Sequence, residues 1–379
     1  MALSMQSLLE AFAQRLRSPH MRVLAPLLAV ALARFVYHRQ RRHLEQLRVH
    51  RQINQTLQNG HPEDNAMGHR AVEQWHDVGE CGDSFGSIAY LPKGPAPPSN
   101  VLVLFIPGNP GLPHFYLPLM RDIVKRFGTQ HEVRSLSHAG HYMPWKNNGK
   151  VFDLKHHYEH KIEYVRQRIK ANPELRLVLV SHSIGAYLML QLMDAFPDHV
   201  AKAVFMQPTF HRIGDSEKGV RMMPLFEHKH HSIKLVKLLE FLVPLRMRRW
   251  LASHAVGSVQ EEAFVDVSTA LVNHQVMLNV LHMAHQEMRD VRDVDERIIH
   301  AHEHKTLFVY SPIDGWVPNE FVQMFQLKFC KAQHRVIPQG HGFMVEKNGS
   351  RDMADHIAQW VADVFDEQQP EPEATQAQS

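Results

Sequence analysis

Cysteine is nearly missing from this chain: 379 residues carry only Cys81 and Cys330. Two thiols so far apart make neither a disulfide framework nor a zinc or redox pair, so a reducing or redox-indifferent compartment is expected. Charged residues are 21% and apolar residues 44% of the chain, which excludes a disordered protein, and 19 glycines exclude a collagen-like one. Lysine is absent from residues 1–51, which hold nine arginines against Glu10 and Glu45 and so carry +7, while the whole chain carries +3. The remainder is therefore mildly acidic and shows no basic stripe across a folded domain, so no nucleic-acid partner is expected.

Long hydrophobic runs are also scarce. Val23–Tyr37 is apolar except for Arg34, but its fifteen residues rise roughly 22 Å as a helix against a hydrocarbon core of roughly 30 Å. Before it, Leu8, Leu9, Phe12, Ala13 and Leu16 recur at helical spacing until Pro19. An Arg-rich, apolar-faced leader over 1–51 suits three roles: an anchor at a lipid surface, a mitochondrial transit segment, or a helix packed on the body. No small-x-small site follows it, which argues against a secretory signal.

What is there, from about residue 70 to 366, is alternation. Val72–Val78 and Gly86–Leu91 read as a hairpin turned at Gly79, Gly82 and Asp83. Val101–Ile106 and Leu175–Val180 are continuous apolar runs of strand length, suited to burial on both faces. Periodic helices at Phe115–Phe127, Phe152–Lys170, Ile184–Phe196 and Met353–Phe365 intervene, with further strands at His131–Leu136, Ala201–Met206, Thr306–Tyr310 and His334–Ile337. This is the pattern of a doubly wound, mostly parallel α/β sheet. Residues from about 209 to 304 contain helical runs only, such as Ser232–Leu242 and Glu261–Glu287, and read as a helical cap over the strand ends. The tail 367–379 is polar and expected to be disordered.

The strand LRLVLV runs into Ser181-His182-Ser183-Ile184-Gly185, with helix following at once. That is the context of a nucleophile elbow, where small residues two before and two after the serine let strand and helix approach; Ser181 stands where glycine is usual. A serine hydroxyl needs a base and an acid to orient it. Thirty histidines make the mere presence of one uninformative. Position discriminates: Asp314 follows one strand and His341 the next, giving the order Ser183, Asp314, His341 that this fold requires. The oxyanion donors are expected to be the backbone N–H groups of Ile184, directly after the nucleophile, and of Asn109 in the loop after Val101–Ile106, since Pro110 has no N–H to offer.

These residues carry a resemblance. Ile106-Pro107-Gly108-Asn109-Pro110-Gly111 followed by Phe115-Tyr116, the elbow Ser181–Tyr187, Asp314–Pro318 and His341-Gly342-Phe343 resemble segments of the lipid droplet-associated hydrolase family. The resemblance runs from about residue 95 to 365. It implies an α/β-hydrolase fold, a serine triad, hydrolysis of lipid-type esters, and residence on lipid droplets and the endoplasmic reticulum. The leader has no matched counterpart in it.

The expected function is therefore serine ester hydrolysis on a lipid ester at a droplet or membrane surface, with no cofactor and no metal. The alternatives are a non-catalytic droplet coat or tether, and a soluble hydrolase of small esters or thioesters, in the mitochondrion or outside it. His156, Glu159 and His160 lack the HExxH order and a third ligand, and His228–His231 and His300–His304 read as polar surface. In Ser232–Trp250 an apolar stripe of Ile233, Val236 and Leu239 beside Leu235, Leu238 and Leu242 is set against Lys234, Lys237 and Glu240. It suits either a cap helix packed on the body or one that docks on lipid.

Overall fold

The computed structural model describes residues 40–41, 44–78, 83–93, 99–142, 149–255 and 262–366. The chain divides into two compact units, Met1–Arg48 and Val49–Ser379. In the first, residues 40–41 and 44–48 are helical. The leader segments 8–16 and 23–37, Cys81, the turn glycines Gly79 and Gly82, and the tail 367–379 lie outside the described residues.

The second unit begins with helix α1 (residues 49–59) and the short α2 (Pro62–Ala66). Its strands are β1 (Ala71–Val78), β2 (Asp83–Tyr90), β3 (Val101–Ile106), β4 (Glu132–Leu136), β5 (Arg176–His182), β6 (Val200–Met206), β7 (Thr306–Tyr310) and β8 (Gln333–Val336). They form one sheet in the order β1-β2-β4-β3-β5-β6-β7-β8. Only the β1–β2 and β2–β4 pairs are antiparallel; every pair from β4 to β8 is parallel. Parallel neighbours need crossovers, supplied by α3 (Leu117–Phe127), α4 (Leu154–Ala171) and α5 (Gly185–Ala195).

The period of two in β3 decides what covers each face. Val101, Val103 and Phe105 share a core with Met120, Ile123 and Val124 of α3. Leu102, Leu104 and Ile106 share the opposite core with Val165 of α4 and with Leu188, Met189 and Leu192 of α5. A strand buried on both faces must be apolar throughout, and VLVLFI is.

Between β6 and β7 come α6 (Glu217–Glu227), α7 (Lys229–Leu242), α8 (Leu245–Ala255), α9 (Glu262–Leu271), α10 (His274–Asp290) and α11 (Glu296–His302). The expected single run Glu261–Glu287 is broken. Asn273 accepts hydrogen bonds from the N–H groups of Gln275 (2.9 Å) and Val276 (3.1 Å), so it caps α10 and ends the continuity with α9. In the segment that suited either a packed or a lipid-docking helix, Glu240 is not on the outer face with Lys234 and Lys237. In α7 the buried residues are Ile233 and Glu240, whose carboxylate bonds His274 at 2.6 Å, while Leu235, Leu238, Leu239 and Leu242 are exposed. Glu240 is thus held inward by its hydrogen bond to His274, and the leucines face outward. His302, expected at the surface, is buried. No helix among the described residues is long and apolar enough to cross a membrane. The last elements are α12 (Asn319–Lys328) and α13 (Gly349–Asp366), which packs beside α3 on the sheet face opposite α5.

Candidate active site

The turn from β5 into α5 holds Ser183 at φ 54°, the left-handed region that an L residue occupies at a cost of about 1–3 kcal/mol. Tight packing imposes it. A Cβ on Gly185 would stand 2.2 Å from the Ile106 carbonyl oxygen, and one on Gly108 would stand 2.9 Å from the Ser183 Cβ. Ser181 takes the place of the usual glycine because its hydroxyl finds an acceptor, the Val204 carbonyl at 3.3 Å on β6.

The three residues expected from strand ends meet. His341 Nε2 lies 2.9 Å from Ser183 Oγ, and its Nδ1 lies 2.7 Å from Asp314 Oδ2. Asp314 is buried, and its other oxygen accepts the Trp316 N–H at 2.8 Å. A carboxylate that accepts from Nδ1–H leaves Nε2 free to accept the serine proton. The β6 end secures the histidine loop: Gln207 donates to the carbonyls of Gln339 (3.1 Å) and Gly340 (2.9 Å).

Asn109 and Ile184 flank the same serine, on the β3 loop and at the start of α5. Among the described residues neither backbone N–H has a hydrogen-bond acceptor. The Asn109 side chain donates to the Val280 carbonyl at 2.9 Å and ties this loop to α10. A pocket of about 280 Å³ opens on Ser183, His341 and Asn109, with Phe226, Met277, Leu281 and Ala284 of the inserted helices among its walls. Larger hollows of about 350 and 620 Å³ are lined by groups such as Asp64, Arg121 and Lys125 and contain none of these three residues.

A family model for lipid-droplet associated hydrolases matches residues 99–344. The chain belongs to the lipid droplet-associated hydrolase family. It is 29% identical over 281 residues to the lipid droplet-associated hydrolase of Gallus gallus, a match covering 70% of this chain and 85% of that one. Among solved structures, 2-hydroxy-6-oxo-6-phenylhexa-2,4-dienoate hydrolase from a Rhodococcus strain matches with a TM-score of 0.54 at 13% identity, over 78% of this chain and 99% of that one. A membrane phospholipase A described as a bacterial virulence factor matches with a TM-score of 0.54 at 16% identity, over 90% and 98%. Likeness at these identities is one of fold. Both the α/β-hydrolase architecture and the family resemblance read from the sequence are borne out.

This lipid droplet-associated hydrolase family member also carries site residues that pattern-reading passed over. His182 is fully buried, and burial holds its ring well below the usual histidine range, so it is neutral. Its Nε2–H donates to the His341 carbonyl at 3.0 Å, which leaves Nδ1 to accept from Tyr116 OH at 2.8 Å. Tyr116 in turn accepts the Gly108 N–H at 3.1 Å. This relay joins the Asn109 loop to the His341 loop. Its signal was the pairing of Tyr116 with an elbow histidine, visible only once the loops are adjacent.

Behind the Asn109 loop, the rings of His138, His141 and His157 stand 5.2–5.4 Å apart, and His141 Nδ1 donates to the Pro110 carbonyl at 2.9 Å. Lys161 Nζ donates to His138 Nδ1 at 3.1 Å, and burial pushes its pKa down to about 7. Among the described residues no group of three or more His, Cys, Asp or Glu side chains is arranged to hold a metal ion.

Proposed function

We propose that this hydrolase is a serine carboxylic-ester hydrolase that acts on lipid-type esters at the surface of a lipid droplet or the endoplasmic reticulum. The observation that carries the reading is the unbroken hydrogen-bonded chain Ser183–His341–Asp314 at a strained strand-to-helix turn. Ser183 Oγ attacks the ester carbonyl while His341 Nε2 takes its proton and Asp314 stabilises the resulting imidazolium. The oxyanion forms against the N–H groups of Asn109 and Ile184, with the N-terminus of α5 behind it favouring negative charge. His341 returns its proton to the departing alcohol, leaving an acyl-serine. Water then attacks the acyl-serine with His341 as base, and the acid leaves as the proton passes back to Ser183.

The surface part of the reading is supported by α7 and α8. Leu235, Leu238, Leu242, Met247 and Trp250 are at least half exposed, and Lys234, Lys237 and Arg246 lie exposed among them. Apolar side chains enter a phospholipid monolayer while cations meet anionic headgroups, each contributing on the order of 1 kcal/mol. The leader 1–51 supplies a second lipid contact in this reading, and the helices between β6 and β7 serve as the cap.

Labelling with a fluorophosphonate probe tests the chemistry. The parent should be labelled and Ser183→Ala should not, with ester turnover falling by about 10⁴-fold or more. A Ser183→Ala protein that retains the parent's turnover would overturn the assignment of Ser183 as nucleophile, and a parent with neither labelling nor turnover would favour a coat or tether.

A further inference from the structure

One carboxyl group stands in the pocket without a part in this chemistry. Helix α10 lines the pocket with Met277, Val280, Leu281, Ala284 and Met288, spaced as one helical face, and Glu287 interrupts that apolar face. Glu287 is 4% exposed, and its Oε1 is buried with no hydrogen-bond partner among the described residues. Its neighbour in the pocket, Asn109, likewise has an unpartnered buried Oδ1. Burial pushes the Glu287 carboxyl up to about 8, against the pull of the Asn109 side chain, so it keeps its proton at neutral pH. A neutral carboxyl has one O–H to donate and one carbonyl oxygen that only accepts. With the proton on Oε2, Oε1 remains an unpartnered acceptor on an α10 face that is otherwise apolar, and a buried polar atom of this kind is satisfied by whatever occupies the pocket.

We propose that Glu287 is a specificity-determining residue that accepts a hydrogen bond from a free hydroxyl of the substrate, so that the pocket selects neutral, hydroxyl-bearing esters such as partial glycerides. The hydroxyl belongs within a few bonds of the ester, because Glu287 neighbours Asn109 of the oxyanion loop. The substrate is neutral because, among the described residues, no lysine or arginine lines the pocket to receive a phosphate or carboxylate. An ester without a hydroxyl leaves the buried acceptor empty, which is the kind of mismatch that discriminates strongly.

This inference rests on the ester-hydrolase reading for its meaning, and its test separates the two. Binding of 1-O-octylglycerol and of octyl methyl ether, neither of which is hydrolysable, is measured by calorimetry on the full chain below micellar concentrations. Turnover of mono-octanoylglycerol and of methyl octanoate is measured beside it. The parent should bind the glycerol ether at least ten-fold more tightly and show a similar preference between the esters, expressed mainly in KM. Glu287→Leu should bring both ratios to within two-fold, and Glu287→Gln, whose amide oxygen still accepts, should keep most of the preference. A parent that binds both ethers equally overturns the proposal whatever the variants do, as does a Glu287→Leu protein that keeps the parent's ratios. Ether discrimination in a protein without ester turnover would remove the hydrolase reading and leave the Glu287 site standing.

Discussion

Helices α5 and α7 are both rich in leucine, yet they meet opposite fates. In α5, Leu188, Met189, Leu190, Leu192 and Met193 are all buried. In α7 only Ile233 and Glu240 are buried, while Leu235, Leu238, Leu239, Phe241 and Leu242 are 39–61% exposed. Composition does not separate them; position does. Helix α5 starts at the elbow, where Gly185 lets it lie directly on the Ile106 carbonyl, so the sheet covers its whole apolar side. Helix α7 lies in the insertion, with Glu240 held inward by its hydrogen bond to His274. An apolar stripe is a demand for apolar company, and the fold supplies that company to α5 alone.

The largest consequence concerns acid. The sheet region that buries α5 also buries His114, His138, His141, His157 and His182, whereas His228, His230 and His231 of the insertion are exposed. Burial pushes His114 down to about 4 and His141 to about 3, and holds His138, His157 and His182 well below their ordinary value. An unfolded histidine takes up its proton near pH 6.5, whereas His114 does so only near pH 4 and His141 near pH 3, with the other three rings shifted the same way, so the unfolded state binds more protons below pH 6.5. Stability is therefore full above about pH 6.5 and falls toward pH 4, with His114 alone losing on the order of 2 kcal/mol at pH 5. Thermal unfolding followed by circular dichroism should show a midpoint lower at pH 5 than at pH 7 by roughly 10 °C or more. An unchanged midpoint would mean that these rings already carry protons in the fold, and the contrast between the two regions would lose its electrostatic half.

A single substitution sharpens the packing half. Leu188→Ala removes a side chain that is 0% exposed beneath the elbow helix. Loss of transfer energy plus a residual cavity should cost about 3 kcal/mol and lower the midpoint by several degrees. If the cost is under about 1 kcal/mol, the elbow helix is held by something other than burial.

How far the sequence could be read follows the same divide. Strand β3 and the segments ending in Ser183, Asp314 and His341 were legible because both their periods and their punctuation are local: a continuous apolar run, a turn of small residues, a polar residue at a strand end. Helix α7 was legible as a helix and illegible in orientation, since Glu240 is buried by a partner 34 residues away. The break at Asn273 was missed because asparagine's capping bond competes with helix only in context. Glu287 was invisible for a different reason. A carboxylate on an apolar helical face looks like a tolerated surface charge until the pocket closes around it. The relay from Gly108 through Tyr116 and His182 to His341 needs four segments brought together, and nothing in one dimension announces it.

The smallest expected effect on stability belongs to α7, and it is the most informative about function. Leu235, Leu238 and Leu242 are 50–61% exposed, so replacing each with serine removes little buried area. Each change should alter unfolding free energy by no more than about 0.5 kcal/mol, a small fraction of the Leu188→Ala cost. Water is not the environment that an exposed leucine cluster beside Lys234 and Lys237 suits. On a droplet each of these leucines can bury apolar area worth about 1 kcal/mol or more, so the triple variant should lose at least ten-fold in partitioning. Flotation with triolein droplets coated in phosphatidylcholine and phosphatidylinositol measures this, with fluorophosphonate labelling of Ser183 as a check that the body is intact. A triple variant destabilised as strongly as Leu188→Ala would show that α7 is packed in solution and that the contrast with α5 is false. A variant that is fully stable and still floats like the parent would leave the contrast intact and move the lipid contact to residues 1–51.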